Sequence, residues 1–186
     1  MSEFNVIDTP LPGLRMIERH RLVDARGFFS RFFCAEALAA AGFDRSIAQI
    51  NHTRTHRRGS VRGLHFQYPP HAETKLVSCL SGEIFDVVVD LRRDSSTFLQ
   101  WHAEVLSDYN GRSLLIPQGF AHGFQTLSDE AVLIYLHSAP FEATAQGALN
   151  VRDPALAIDW PLPFADISER DANHPLIGVD FTGLDP

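Results

Sequence analysis

Two cysteines cannot lace a fold of 186 residues together, and Cys34 and Cys79 stand in apolar surroundings without the Cys-x-x-Cys spacing of a redox or zinc site. They are expected to be reduced core thiols. A positive excess is missing too: 16 Lys and Arg against 23 Asp and Glu leave a formal charge of −7. That balance removes the broad basic face on which general nucleic-acid or membrane-surface binding depends, although a small anionic substrate needs only a local basic cluster. No apolar run reaches spanning length, and the opening Met1-Ser2-Glu3-Phe4-Asn5 has neither the basic patch nor the apolar stretch of a secretion signal. A soluble, cytoplasmic protein with no nucleic-acid and no membrane partner is the expectation. Repeats, low-complexity tracts and linkers are absent as well, and 45% hydrophobic content at this length supplies one core, so a single domain over residues 1–186 is expected.

What the chain does contain is fourteen Phe, eleven Pro and twelve Gly, spread along its length in the manner of short strands with many turns. Turn signals recur at Asp24 to Gly27, Ser81-Gly82, Tyr109-Asn110-Gly111 and Pro117 to Gly119. Between them lie strand-length apolar runs, Lys75 to Leu80, Ile84 to Leu91, Ser113 to Ile116 and Val132 to His137. A helix is expected at Ala35 to Ala41 with Gly42 as its C-terminal cap, and a second from about Ser168. The fold class is mainly β, a double-stranded jelly roll with a few short peripheral helices.

The segment Arg62-Gly63-Leu64-His65-Phe66-Gln67-Tyr68-Pro69-Pro70-His71 reads as a strand ending in a Pro-rich turn. Alternation sets Gly63, His65 and Gln67 on one face, lining a barrel mouth, and Leu64 and Phe66 on the other. A lone strand His is as a rule a hydrogen-bonded structural residue; company makes it a candidate for chemistry. Tyr135 shares a face with His137, opposite Val132, Ile134 and Leu136. Lys75 opens the strand after the turn, where it either reaches the same cavity or marks a strand end at the surface. Arg54, His56, Arg57, Arg58 and Arg62 crowd the stretch from His52 to Arg62, which is either a solvated loop or a diphosphate site. Alternation alone puts Arg62 opposite His65, so a cavity role for it requires a bulge at Gly63.

Pro117-Gln118-Gly119-Phe120-Ala121-His122-Gly123-Phe124 fits the PxGxxH turn of the cupins. The paired His-x-His that would complete a metal site is replaced by His65-Phe66-Gln67, so no metal and no cofactor are expected. From Val6 to Leu176 the chain resembles the dTDP-4-dehydrorhamnose 3,5-epimerases, cupins that act without metal as strand-exchanging homodimers. The matching landmarks are Asp24-Ala25-Arg26-Gly27-Phe28-Phe29, Gln49-Ile50-Asn51-His52, Arg62 to Gln67, Lys75-Leu76-Val77, Pro117 to Phe124, Asp159-Trp160-Pro161 and Ile167-Ser168-Glu169-Arg170-Asp171.

The resemblance implies His65 as general base with Asp171 as its carboxylate partner, Lys75 beside the keto oxygen and Tyr135 as the acid. It implies substrate contacts at Arg26, Gln49, Asn51, Arg62 and His122, a nucleotide-sugar substrate, and proton abstraction and return beside a ketone on a nucleotide-linked 4-keto-6-deoxyhexose. On the residues alone, Asp171 reads instead as part of a capping box in Ser168-Glu169-Arg170-Asp171. Two positions depart from the family pattern: Arg31 stands where a Glu contacts thymine, leaving dTDP and CDP open, and Phe141 replaces a second Tyr, leaving open inversion at C3 and C5 or at C3 alone. A 3,4-ketoisomerase, a non-catalytic sugar-nucleotide binder and, last, a metal-dependent dioxygenase are the other readings.

Overall fold

The computed structural model describes residues 4–186; residues 1–3, part of the stretch read for a secretion signal, lie outside the described residues. The strands are β1 (Phe4–Asp8), β2 (Arg15–Arg19), β3 (Leu22–Asp24), β4 (Gly27–Phe29), β5 (Gln49–His56), β6 (Ser60–Gln67) and β7 (Lys75–Ser81), followed by β8 (Glu83–Asp90), β9 (Trp101–Ser107), β10 (Arg112–Ile116), β11 (Phe120–Thr126), β12 (Glu130–His137), β13 (Gln146–Ala148) and β14 (Asp166–Ile167). Helix α1 (Ala35–Ala39) falls between β4 and β5, and α2 (Glu169–Ala172) follows β14. All four expected strand runs and all four turn signals are realised.

One sheet runs β1-β2-β10-β7-β12-β5 and faces a second in the order β13-β6-β11-β8-β9, with β14 added in parallel to β6. All other pairings between these strands are antiparallel, and an isolated parallel bridge joins Arg92 to Leu184. This is the expected jelly roll. Val77, Cys79, Leu114 and Leu133 from the first sheet meet Ile84, Val88, Phe120 and Phe124 from the second in the interior core. The outer faces are covered as well. Leu38 and Phe43 around α1 pack on Leu76, Leu115 and Leu136, while Leu149, Val151, Leu156 and Trp160 of the C-terminal third cover Leu64, Phe66, Val87 and Val89. Burial on both faces explains why β7 and β8 read as nearly continuous apolar runs, and it leaves inward polar positions conspicuous.

Helix α1 ends two residues before the expected Ala41, because the chain turns out through Gly42 at φ +106°, where the Gly42 N–H reaches Ala39 O at 3.0 Å and that of Phe43 reaches Leu38 O at 2.8 Å. Both cysteines are free thiols, with Cys79 buried in the core and Cys34 only half-buried. Burial pushes the Cys79 thiol up to about 12, which suits an inert core residue. No helix among the described residues is long and apolar enough to cross a membrane.

Two sequence expectations are corrected here. The strict alternation of β6 fails, because between the pairs His65↔His122 and Arg62↔Phe124 the β6 strand carries one residue more than β11. The extra residue is a bulge at Gly63, and it turns Arg62 to the side of His65 and Gln67 while Leu64 and Phe66 stay on the outer face. The stretch from His52 to Arg62 is not a loop. It forms the end of β5, a turn at residues 57–59 and the start of β6, and its charges are divided: Arg54 and His56 share the Glu130 carboxylate at 2.8 and 2.9 Å, and only Arg62 of the group faces the interior.

Candidate active site

At the open end of the sandwich, β5, β7 and β12 of one sheet face β6 and β11 of the other across a cavity of about 590 Å³. Edge strand β5 lines it through Asn51, Thr53 and Thr55, β12 through Tyr135 and His137, β7 through Lys75, β6 through Arg62, His65 and Gln67, and β11 through His122. Gln146 and α2 close one side.

His65 Nε2 lies 2.9 Å from Asp171 Oδ1, and the other carboxylate oxygen accepts the Gly63 N–H at 3.2 Å. Ser168 Oγ caps α2 by accepting the Asp171 N–H at 3.0 Å. Half of the capping box therefore exists, while the carboxylate that would complete it is turned to the dyad. Arg170 Nη2 approaches the same imidazole nitrogen at 3.3 Å, and because a guanidinium only donates, the Nε2 proton belongs to the shorter contact with Asp171. That leaves Nδ1 as the basic nitrogen.

Burial alone would raise the Asp171 carboxyl, but the bond and charge of His65, the Gly63 N–H and Arg170 outweigh it and bring the group down to about 2. A carboxyl held below its unfolded value contributes stability that is present above about pH 4 and lost as pH falls toward the folded value. The gap in thermal midpoint between wild type and Asp171→Asn should therefore be widest above about pH 5 and close as the pH is taken toward 2, which differential scanning fluorimetry across that range checks.

Across the cavity, the Tyr135 ring lies between those of His122 (5.9 Å, edge-on) and His137 (6.1 Å, stacked). Burial raises the phenol above its ordinary value, against lowering by Thr53 and Arg62, so it stays protonated and able to donate. Arg62 Nε donates to Thr55 Oγ1 at 2.9 Å, which holds the guanidinium along the cavity wall. His122 is buried with Nε2 2.7 Å from Asp86 Oδ1, and full burial raises the Asp86 carboxyl despite His122 and Lys75. Lys75 is the only lysine in the sequence. It is buried, with Nζ 3.5 Å from the His65 carbonyl oxygen, which rejects the surface strand-end reading. His65 and Tyr135 thus project into the cavity from facing sheets, and the Lys75 ammonium lines it with them.

A family model described as dTDP-4-dehydrorhamnose 3,5-epimerase matches residues 8–178. The chain belongs to this family. It is 41% identical over 176 residues to the dTDP-4-dehydrorhamnose 3,5-epimerase of Methanothermobacter thermautotrophicus, covering 93% of this chain and 94% of that one. Among solved structures it resembles the Bacillus anthracis epimerase with TDP and PPi bound (TM-score 0.90, 38% identity, 94% of this chain and 99% of that one). It also resembles a 3′-monoepimerase from Streptomyces bikiniensis in complex with dTDP-quinovose (TM-score 0.84, 30% identity, 91% and 86%).

Of the nine residues the epimerase resemblance singles out, seven line this cavity: His65, Lys75, Tyr135, Asp171, Asn51, Arg62 and His122. Gln49 lies at its edge, tied to Asn51 Oδ1 at 2.9 Å and to the Phe141 N–H at 2.9 Å. Arg26 is not brought in. It sits at the turn of the β3–β4 hairpin, paired with Asp24 at 2.6 Å and with its side chain 90% exposed. Sequence reasoning missed Thr53, Thr55, Glu73 and Asp86. The two threonines were findable, since they continue the every-second-residue series begun by Gln49 and Asn51; Asp86 lies inside an apolar strand, where a lone carboxylate signals a buried partner.

His65, Asp171 and His174 bring three ligand atoms within 4.8 Å of one another. The Arg170 guanidinium at 3.3 Å from one of those atoms opposes a cation there. Gln67, at the position of the second metallocupin histidine, directs its amide instead to His71 O, Pro140 O and Glu73.

Proposed function

We propose that this epimerase-family protein inverts C3 and C5 of a dTDP-linked 4-keto-6-deoxyglucose by proton abstraction and return through an enolate. The observation that carries the reading is a His–Asp dyad and a protonated tyrosine that face one cavity from opposite sheets, with the sole lysine lining the same cavity. A C–H beside a ketone is acidified only when the developing oxyanion is stabilised, and the Lys75 ammonium in a water-poor cavity does this. His65 takes the proton with Asp171 offsetting the imidazolium charge, and Tyr135 returns one on the opposite face. Inversion follows from that opposition. Arg62, Asn51 and His122 contact the substrate, and Arg62 suits the diphosphate.

Proton NMR of the dTDP- and CDP-linked 4-keto-6-deoxyglucose in D₂O tests this. Deuterium at C3 and C5 of the dTDP substrate supports it; the CDP form alone exchanging would reassign the base that Arg31 leaves open; no exchange with either would sink the reading. Exchange at C3 alone fits a 3-epimerase, the second reading, favoured by Phe141, which lines the cavity without a hydroxyl.

The reading includes a cytoplasmic homodimer. Two free thiols are in keeping with a reducing compartment. The β3–β4 hairpin leaves Leu22, Val23, Phe28 and Phe29 between 56% and 76% exposed, an apolar patch of the kind a partner covers. Seated on a second copy, that hairpin would carry Arg26 toward the partner's cavity. Phe29→Asp should halve the mass seen by analytical ultracentrifugation, and Arg26→Ala should raise KM about tenfold while leaving kcat within about threefold. An unchanged KM for Arg26→Ala would remove Arg26 from substrate binding.

A further inference from the structure

A buried carboxylate to which the reaction assigns no role stands directly behind Lys75. Glu73, two residues ahead of it, has a side chain only 5% exposed and places Oε1 3.0 Å from Lys75 Nζ. The Gln67 amide nitrogen donates to the other oxygen, Oε2. The orientation of that amide is settled from its far end, because the Glu142 N–H, which can only donate, meets Gln67 Oε1 at 2.7 Å.

A second file of side chains approaches the same carboxylate from the other side and ends at His137, short of hydrogen-bonding distance. The Phe141 N–H donates to Gln49 Oε1 at 2.9 Å, so Gln49 presents its amino group to Asn51 Oδ1, also at 2.9 Å. Asn51 then turns its own amino group to His137 Nε2 at 3.3 Å. That nitrogen must accept, which puts the imidazole proton on Nδ1, 4.0 Å from Glu73 Oε1. Burial and the Lys75 ammonium bring His137 down to about 4, so near neutral pH the ring is uncharged, accepts from Asn51, and turns its N–H toward Glu73 across a gap too long for a hydrogen bond. The Gln67 file closes on Glu73 with a hydrogen bond and the His137 file stops 4.0 Å from it, and both are anchored by backbone N–H groups of residues 141 and 142.

We propose that Glu73 is the positioning residue of Lys75: it fixes the ammonium on the cavity side of β7, and the hydrogen bond it accepts from Gln67, itself held by the Glu142 N–H, sets that aim. The inference rests on reading Lys75 as the group that stabilises the enolate oxygen. A lysine ammonium is a point charge on a four-carbon stem, and its value to an oxyanion depends on being held in place before the charge develops. Asp86 on β8, His137 on β12 and the carbonyl oxygen of His65 on β6 also face the amine, and His122 on β11 lines the same cavity. Among the described residues, Glu73 supplies its ion pair.

The test compares Glu73→Ala, Glu73→Gln, Glu73→Asp and Lys75→Ala in the full-length enzyme, with kcat, KM, dTDP affinity and thermal midpoint measured for each. Lys75→Ala should lose about a thousandfold or more in kcat. Glu73→Ala should lose about 10- to 100-fold in kcat with KM and dTDP affinity within about threefold, the mark of an interaction used only in the transition state. Glu73→Gln keeps an acceptor oxygen at the same reach and should recover kcat to within about fivefold of wild type, whereas Glu73→Asp, charged but one methylene short, should recover less. Should the alanine variant fail to fold, the order of Gln above Asp still decides. A Glu73→Ala enzyme with wild-type kcat beside an inactive Lys75→Ala, or Asp equal to or better than Gln, overturns the assignment of Glu73 alone. An active Lys75→Ala would overturn the reading of Lys75 and this inference with it.

Discussion

His65→Ala is expected to abolish deuterium incorporation beside the ketone, by about a thousandfold or more in rate, while dTDP binding stays within a few-fold of wild type. The two effects separate because His65, bound to Asp171 through Nε2 at 2.9 Å, offers the site only its Nδ1, whereas the anionic half of the substrate is assigned to Arg62 and Asn51 on the wall around it. Other groups do not take over. His137, lowered to about 4, is too weak a base, and His122 has its Nε2 committed to Asp86 at 2.7 Å. Proton NMR in D₂O reads the exchange and titration calorimetry reads the affinity. Full exchange in the variant would remove His65 as the base, and a collapse of dTDP affinity would mean that the imidazole also shapes the nucleotide site.

The second large effect is expected from a residue with no side chain. Gly63→Ala should destabilise the protein by about 2–4 kcal/mol, a fall of roughly 5–15 °C in thermal midpoint for a chain of this size. Gly63 has φ +116°, and a Cβ there would lie 2.6 Å from Gly123 Cα and 2.7 Å from His122 O, both backbone atoms without rotamers to yield. Relief requires the two strands to part at the bulge that turns Arg62 inward and places the Gly63 N–H on Asp171. The folded fraction should accordingly show a raised KM as well as a lowered kcat. Gly178→Ala serves as the control, since a Cβ there meets nothing within 4 Å, and it should stay within about 0.5 kcal/mol of wild type. An unchanged midpoint for Gly63→Ala would mean that the bulge shifts at little cost.

Much of the fold was legible because its signals are local. Turn residues at Asp24 to Gly27, Ser81-Gly82, Tyr109 to Gly111 and Pro117 to Gly119 each join consecutive strands, the first within a hairpin and the other three from one sheet to the other, and the alternation of Tyr135 and His137 with Ile134 and Leu136 matches the faces they occupy. The exceptions share a cause. Arg62 broke the alternation because a one-residue excess is a property of the pair β6–β11, and neither strand alone displays it. Arg54 and His56 looked like parts of a phosphate site because their shared partner, Glu130, lies on another strand. Asp171 looked like a cap because its cap is real; its carboxylate, however, meets an imidazole 106 positions earlier in the chain.

By itself the sequence determined the strand and turn alternation, the β-rich class, the family, and the residue types available for proton transfer next to a ketone. Those follow from side-chain period and turn chemistry, which act over a few residues. Only the tertiary structure decided which of these groups meet. It joined His65 to Asp171, set Glu73 behind the sole lysine, brought Arg62 inside through the bulge and left Arg26 outside on an exposed apolar hairpin. The physical reason is that hydrogen bonds and ion pairs between strands depend on register and sheet packing, quantities set by the whole core at once and carried by no single segment.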